Sequence, residues 1–185
     1  SFVLEHEASD LAVFDGFVHR TFQAEDARGF VRGLAGLMRQ HGSLEGAMLA
    51  GWKELDSLES VSVALTEFHH AFMAQTDVAG RTAKHVANQS KGSAAKRLNM
   101  FLRWMVRPSD RGVDLGMWKG IKPSVLHIPL DVHTSNVGRK LGLLKRASND
   151  WKAVEELTAS LRTIDAEDPV RLDFALFGLG AIEGF

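Results

Sequence analysis

The sequence predicts an all-α protein, and three observations carry that prediction. Apolar residues recur at helical spacing along most of the chain. The four prolines, Pro108, Pro123, Pro129 and Pro169, all fall between helical stretches or at their ends. No strand-like alternation of apolar and polar residues persists beyond a few positions. The 185 residues, 45% apolar and 24% charged, suit a single helical domain with a full hydrophobic core.

Each element has its own justification. Residues 26–40 place Phe30, Val31, Leu34 and Leu37 on one side of a helix, and Gly42 after His41 suits a left-handed stop. Ser43 can cap the next helix, which runs through Leu44, Ala47, Met48 and Trp52. Residues 60–75 follow, with Val61, Leu65, Phe68 and Phe72 at helical spacing; 76–90 is polar and reads mostly as loop. The strongest helix is 93–107, with Ser93 as N-cap and Leu98, Phe101, Leu102 and Met105 as its apolar stripe. On its opposite face lie Lys96, Arg103 and Arg107, and Pro108 ends it. Residues 113–121 suit a short helix and 123–130 an extended crossing. Asp131 opens a helix to about Leu144, and 151–164 is amphipathic through Val154, Leu157 and Leu161. Pro169 fits the first turn of the last helix. That helix is apolar nearly all round from Phe174 to Leu179, which predicts a central position.

Charge is sorted along the chain. Residues 78–149 hold 14 Lys/Arg against Asp110, Asp114 and Asp131, a net of +11; the remainder holds 8 basic and 20 acidic residues, a net of −12, and together they give the overall −1. Such a basic segment points first to a polyanion, and nucleic acid is the commonest. Cysteine is absent, which excludes disulfides, thiolate zinc sites and cysteine-bound clusters and fits a cytoplasmic location. No window of about 18 consecutive apolar residues exists, so no membrane partner is expected. The opening Ser1-Phe2-Val3-Leu4-Glu5-His6 has neither the charged nor the apolar region of a signal peptide. With no initiator Met, the chain is expected to lack an N-terminal portion of the full-length protein.

The segment Asp131-Val132-His133-Thr134-Ser135-Asn136-Val137-Gly138-Arg139-Lys140-Leu141-Gly142 resembles the D-T-H-V-x-R-V-x-x-R-L-G signature of helix-hairpin-helix (HhH-GPD) base-excision DNA glycosylases. Asp131, His133, Val137, Leu141 and Gly142 match; Lys140 stands for Arg, and Asn136 replaces the inner Arg. Ile128-Pro129-Leu130-Asp131 looks like the approach to the catalytic aspartate in the archaeal 8-oxoguanine glycosylase branch. Over a longer span, residues 96–107 together with this segment resemble an uncharacterised bacterial family distantly related to those glycosylases. The resemblance implies a compact helical fold of that superfamily, double-stranded DNA as partner and Asp131 as the catalytic carboxylate. No cofactor is expected, and His127, Asp131 and His133, which could in principle hold a metal, are not read as a metal site. A carboxylate beside a sugar stabilises the positive charge that develops as an N-glycosidic bond breaks.

Two departures stand out. The glycine-paired hairpin that binds phosphate in such enzymes is replaced by Met117-Trp118-Lys119-Gly120-Ile121-Lys122-Pro123-Ser124. The Schiff-base lysine of bifunctional members, roughly twenty to thirty residues upstream of the aspartate, is matched in position by Arg103. Arginine stays protonated and makes a poor nucleophile, which leaves Lys96 and Lys119 as candidates, Lys96 being the choice.

The remaining candidates are contacts. Lys91, Arg97, Arg103, Arg107, Arg139 and Lys140 would meet phosphate, Gly92-Ser93 could offer backbone amides to it, and His133 could touch DNA or brace Asp131. Trp104 and Trp118 could stack on an extruded base. Each has a plainer structural alternative. Asp131 could serve only as an N-cap, the cationic spacing could mark a solvated face, and the tryptophans could be core. Two functional alternatives follow: a non-catalytic nucleic-acid-binding or scaffold protein on the same fold, or a protein-interaction module whose basic segment docks an acidic partner or the chain's own acidic surface.

Overall fold

The structure, a computed structural model, describes residues 1–52, 58–77, 79–110 and 112–185. It is mostly helical, and the chain divides into two compact units, Ser1–Lys53 with Val63–Val86, and Glu54–Ser62 with Ala87–Phe185.

The first unit contains α1 (Phe2–Glu5), a short antiparallel hairpin of β1 (Val18–His19) and β2 (Phe22–Gln23), α2 (Ala24–His41), α3 (Leu44–Ala50), most of α4 (Leu58–Ala74) and α5 (Ala79–Thr82). The hairpin is too short to leave a periodic trace in the sequence. Helix α2 stops at Gly42, whose φ of 77° is the left-handed conformation glycine favours. Ser43 caps α3 by accepting the Gly46 N–H at 2.9 Å. Helices α2 and α4 approach closely at Gly33, where an added Cβ would come within 2.8 Å of the Phe72 ring. Asp26 is fully buried in the first turn of α2 and meets Arg81 and His85 at 3.2 and 3.5 Å. Burial pushes its carboxyl up, but the Gln23 amide and the Arg81 guanidinium outweigh burial and hold it below the usual carboxylate range.

The second unit carries the segments that the sequence singles out. Its helices are α6 (Lys96–Val106), α7 (Val132–Lys140), α8 (Trp151–Arg162) and α9 (Asp173–Ala181). Helix α6 starts three residues later than expected. Ser93 is not its cap: Ala95 is, with a left-handed φ of 47°, while the Ser93 hydroxyl accepts the Ala95 N–H in the preceding loop. Residues 113–121 form no helix. Gly112 and Gly116 take left-handed conformations, and the Leu115 and Gly116 N–H groups both turn back to the Trp104 carbonyl at the end of α6. Helix α7 is shorter than expected and ends at Lys140.

A buried extended crossing delivers the chain to α7. Residues 125–130 are all buried, so their polar backbone needs internal partners. The Thr158 hydroxyl accepts the Ile128 N–H at 3.1 Å, and Arg162 donates to the Ser124 carbonyl at 2.9 Å. Close approach fixes α7 on both sides. A Cβ on Gly138 would lie 3.2 Å from Leu157 of α8, and one on Gly180 of α9 would lie 3.0 Å from Val137 and 3.1 Å from the His133 backbone. Helix α9 is not central. Asp173 and Leu176 are buried, but Phe174 and Phe177 are exposed, because the helix packs by one side only. Among the described residues no helix is long and apolar enough to cross a membrane.

Candidate active site

Asp131 is the N-cap of α7, and its Oδ1 accepts the Thr134 N–H at 2.9 Å. The second oxygen faces another element. Lys96, the first residue of α6, donates from Nζ to Asp131 Oδ2 at 3.0 Å. The carboxylate side chain is 15% exposed and the lysine 46%, so the pair lies at the edge of the surface. Burial pushes the Asp131 carboxyl up, but the Thr134 N–H and the Lys96 ammonium outweigh it and hold the group below its ordinary range. Capping and pairing use different oxygens, so the structural role of Asp131 leaves a chemical one available.

A second charged cluster stands behind the first. Arg103, two turns further along α6, is 1% exposed and donates to Asp173 Oδ2 at 2.6 Å, with Asp114 Oδ1 at 3.4 Å from its Nε. Arg107 pairs with Asp114 and, at 2.9 Å, with Asp168. Burial pushes Asp173 up to about 6 against the opposing pull of Arg103, and the negative Asp131 raises it further. Asp131 and Asp173 are therefore two carboxyls in one field, one held ionised and the other held close to the neutral range.

This arrangement corrects the reading of the α6 cations. Arg103 and Arg107 do follow Lys96 along one side of α6, but Lys96 stands exposed at the helix start while the two arginines turn inward, and their charge is consumed by Asp114, Asp168 and Asp173. A phosphate cannot reach Arg103. Trp118 is also core, edge-on to Phe101 at 5.4 Å, so it offers no stacking face. Arg139 spends its guanidinium on the Arg146 and Ala147 carbonyls and braces the loop after α7.

The other candidates remain outward. Lys91, Ser93, Lys96 and Arg97 are exposed at the start of α6, and Trp104 is exposed at its end. Lys140 lies over the Phe185 ring at 5.3 Å, and the exposed His133 stands edge-on to Phe177 at 5.7 Å. His127 does not join His133. It is buried against Trp151, and burial first, then Arg162, pushes it down to about 4. Among the described residues no cluster of three His, Asp or Glu could hold a metal ion.

Sequence reasoning missed Asp114, Asp168 and Asp173. One signal could have found the last: Asp173 is the lone acid directly before the apolar run 174–179, where a charge needs a buried partner.

The geometry defines a helical protein with a lysine–carboxylate pair at the meeting of two helix N-termini. The chain belongs to the family described as protein of unknown function (DUF2400), which matches residues 1–182. No curated protein and no solved structure matches it.

Proposed function

We propose that the protein binds duplex DNA and acts as a base-excision DNA glycosylase of the helix-hairpin-helix type, with Asp131 as the catalytic carboxylate and Lys96 as the amine beside it. The observation that carries this reading is the 3.0 Å contact between Lys96 Nζ and Asp131 Oδ2. It joins the aspartate of the D-x-H segment to the lysine that sequence reasoning chose.

The chemistry follows from the pair. Breaking the N-glycosidic bond leaves the base with the bonding electrons and the sugar with developing positive charge at C1′; an ionised Asp131 stabilises that charge. The nucleophile that closes the step is a water, which loses a proton to the solvent as the departing base takes one up, or the Lys96 amine. In the amine route Lys96 gives its ammonium proton to the departing base and bonds to C1′; the nitrogen then loses a proton to the solvent while the ring oxygen leaves C1′ and takes one up, which gives the imine. In the second route Asp131 also holds the amine in line. The exposed Lys91, Arg97 and Lys140 supply phosphate contacts that offset the few kcal/mol of base extrusion.

A panel of lesion-bearing duplexes tests the reading. Asp131→Asn is expected to abolish base release while duplex affinity stays within about threefold. Borohydride, which reduces an imine to a permanent cross-link, is expected to trap the parent chain on DNA and to leave Lys96→Gln untrapped if the amine route operates. Base release by Lys96→Gln without trapping assigns the water route. Equal release by Asp131→Asn, or none from the parent chain on any lesion, overturns the glycosylase reading.

A non-catalytic scaffold has one observation in its favour. Arg103 and Arg107 are neutralised internally by Asp114, Asp168 and Asp173, which leaves less of the basic segment for DNA. It predicts salt-dependent duplex binding with no base release at all.

A further inference from the structure

One buried side chain beside the Lys96–Asp131 pair has only half of its hydrogen bonding accounted for. Asn99, in the first turn of α6, is 1% exposed. Its Nδ2 donates to the Ala94 carbonyl at 3.2 Å, which turns Oδ1 the other way along the planar amide. That oxygen is buried and has no hydrogen-bond partner in the protein. Buried acceptors are nearly always satisfied, by protein or by water.

Helix geometry fixes what lies around it. Lys96 comes three residues before Asn99 and Arg103 four residues after, so the three share one side of α6. Lys96 reaches Asp131 at 3.0 Å, and Arg103 reaches Asp173 at 2.6 Å. The Asp173 carboxyl, raised mainly by burial, also feels both Asp131 and Lys96, so the two ion pairs lie within one another's field. Asn99 stands between them along the helix. The cations on either side are turned to carboxylates, Lys96 Nζ to Asp131 and Arg103 Nη1 to Asp173, and neither donates to the Asn99 oxygen. The oxygen calls for a small molecule that can donate twice, once to the amide and once to a neighbouring carboxylate.

We propose that Asn99 is a positioning residue for base release: its Oδ1 accepts one hydrogen of the attacking water while Asp131 accepts the other. The inference rests on the glycosylase reading and assigns its water route. Held by both hydrogens, the water turns its lone pairs to the opposite side, toward C1′. Its oxygen bonds to C1′ as the bond from C1′ to the base breaks. The base leaves with the bonding pair and takes up a proton, and the attacking oxygen gives one proton, by way of Asp131, to the solvent. The amide is neutral, so it fixes the water without repelling the ionised carboxylate. Methanol has a single O–H and cannot donate to both acceptors, so the site selects water over methanol.

Single-turnover base release from lesion-bearing duplex in aqueous methanol tests this, because the sugar product records which oxygen attacked. The parent chain is expected to give the abasic site with little of its methyl glycoside. Asn99→Leu, of similar volume but without the acceptor, is expected to slow release by about a hundredfold and to raise the methyl glycoside share severalfold. Duplex affinity is expected to stay within about threefold of the parent. Asn99→Ala is read in the same way should the leucine variant not fold. A lost rate with an unchanged methanol share makes Asn99 a packing residue and overturns the proposal. So does an unchanged rate. So does borohydride trapping of the parent chain through Lys96 in step with base release, which leaves the glycosylase standing with the amine as nucleophile. A parent chain that releases no base from any lesion sinks both readings together.

Discussion

Arg103 and Asp173 meet at 2.6 Å inside the second unit although seventy residues separate them in the sequence. Neither side chain is more than 6% exposed. The pair therefore clamps the first turn of α9 onto the middle of α6, behind the contact between Lys96 and Asp131.

Removing Arg103 leaves Asp173 and Asp114 buried without the cation that balances them. Arg103→Met is expected to destabilise the second unit by about 3–5 kcal/mol. Urea denaturation followed by tryptophan fluorescence, which reports on Trp118 and Trp151 in this unit, measures it. A loss below about 1 kcal/mol would show that the clamp contributes little.

The elevated Asp173 carboxyl gives a pH dependence of definite sign. Its folded-state value of about 6 lies above the ordinary 3.8, so between these values the folded protein binds a proton that the unfolded chain has released. Stability contributed by this group therefore falls as pH rises from about 4 to 6. Asp131 and Asp26 are held low, so their contribution is lost only as pH falls below about 4. His127, pushed down to about 4, acts in the opposite sense, because the unfolded imidazole takes up a proton below about 6.5 that the folded one refuses. The two therefore largely offset one another in the parent chain, and midpoints measured from pH 4 to 7 are expected to rise more steeply with pH for Asp173→Asn than for the parent chain. Identical profiles would place the titration elsewhere.

Substitution at Asp131 separates the cap from the chemistry. Asn caps a helix about as well as Asp, while Ala costs about 1 kcal/mol. Asp131→Asn is therefore expected to melt within a degree or two of the parent, and Asp131→Ala several degrees lower, as read by circular dichroism. Both are expected to lose the proposed base release.

A methyl group at Gly180 would be tightly placed. Its Cβ would meet Val137 at 3.0 Å and the His133 carbonyl at 3.1 Å, and the second of these is backbone that cannot rotate aside. Gly180→Ala is expected to lower stability by about 1–3 kcal/mol and to push α9 away from the start of α7. Retention of the parent melting temperature would show that the helices separate at no cost.

Helices were legible wherever apolar spacing was long and regular. The stop at Gly42 and the caps at Ser43 and Asp131 all stand where local chemistry puts them. The start of α6 was not legible, because the favourable Ser93 lost to a loop that places a left-handed Ala95 at the cap. Spacing identified Lys96, Arg103 and Arg107 as neighbours on α6 but could not tell inside from outside. That depends on acids at 114, 168 and 173, which only folding brings alongside. The same blindness affected 113–121, where the periodicity suited a helix until two left-handed glycines and the Trp104 carbonyl redirected the backbone. Lys96 was one of two candidate lysines, rather far along the chain from Asp131 where Lys119 was rather near; its partnership with Asp131 is a property of three dimensions.

The hydroxyl of Thr158 takes the amide of Ile128, three positions ahead of Asp131 on a stretch with no solvent exposure. Helix α8, which supplies no residue to the candidate chemistry, thus sets the height at which the carboxylate emerges. Loss of that single oxygen would strand a buried amide, and would be felt together as lowered stability and as a misaligned reactive group.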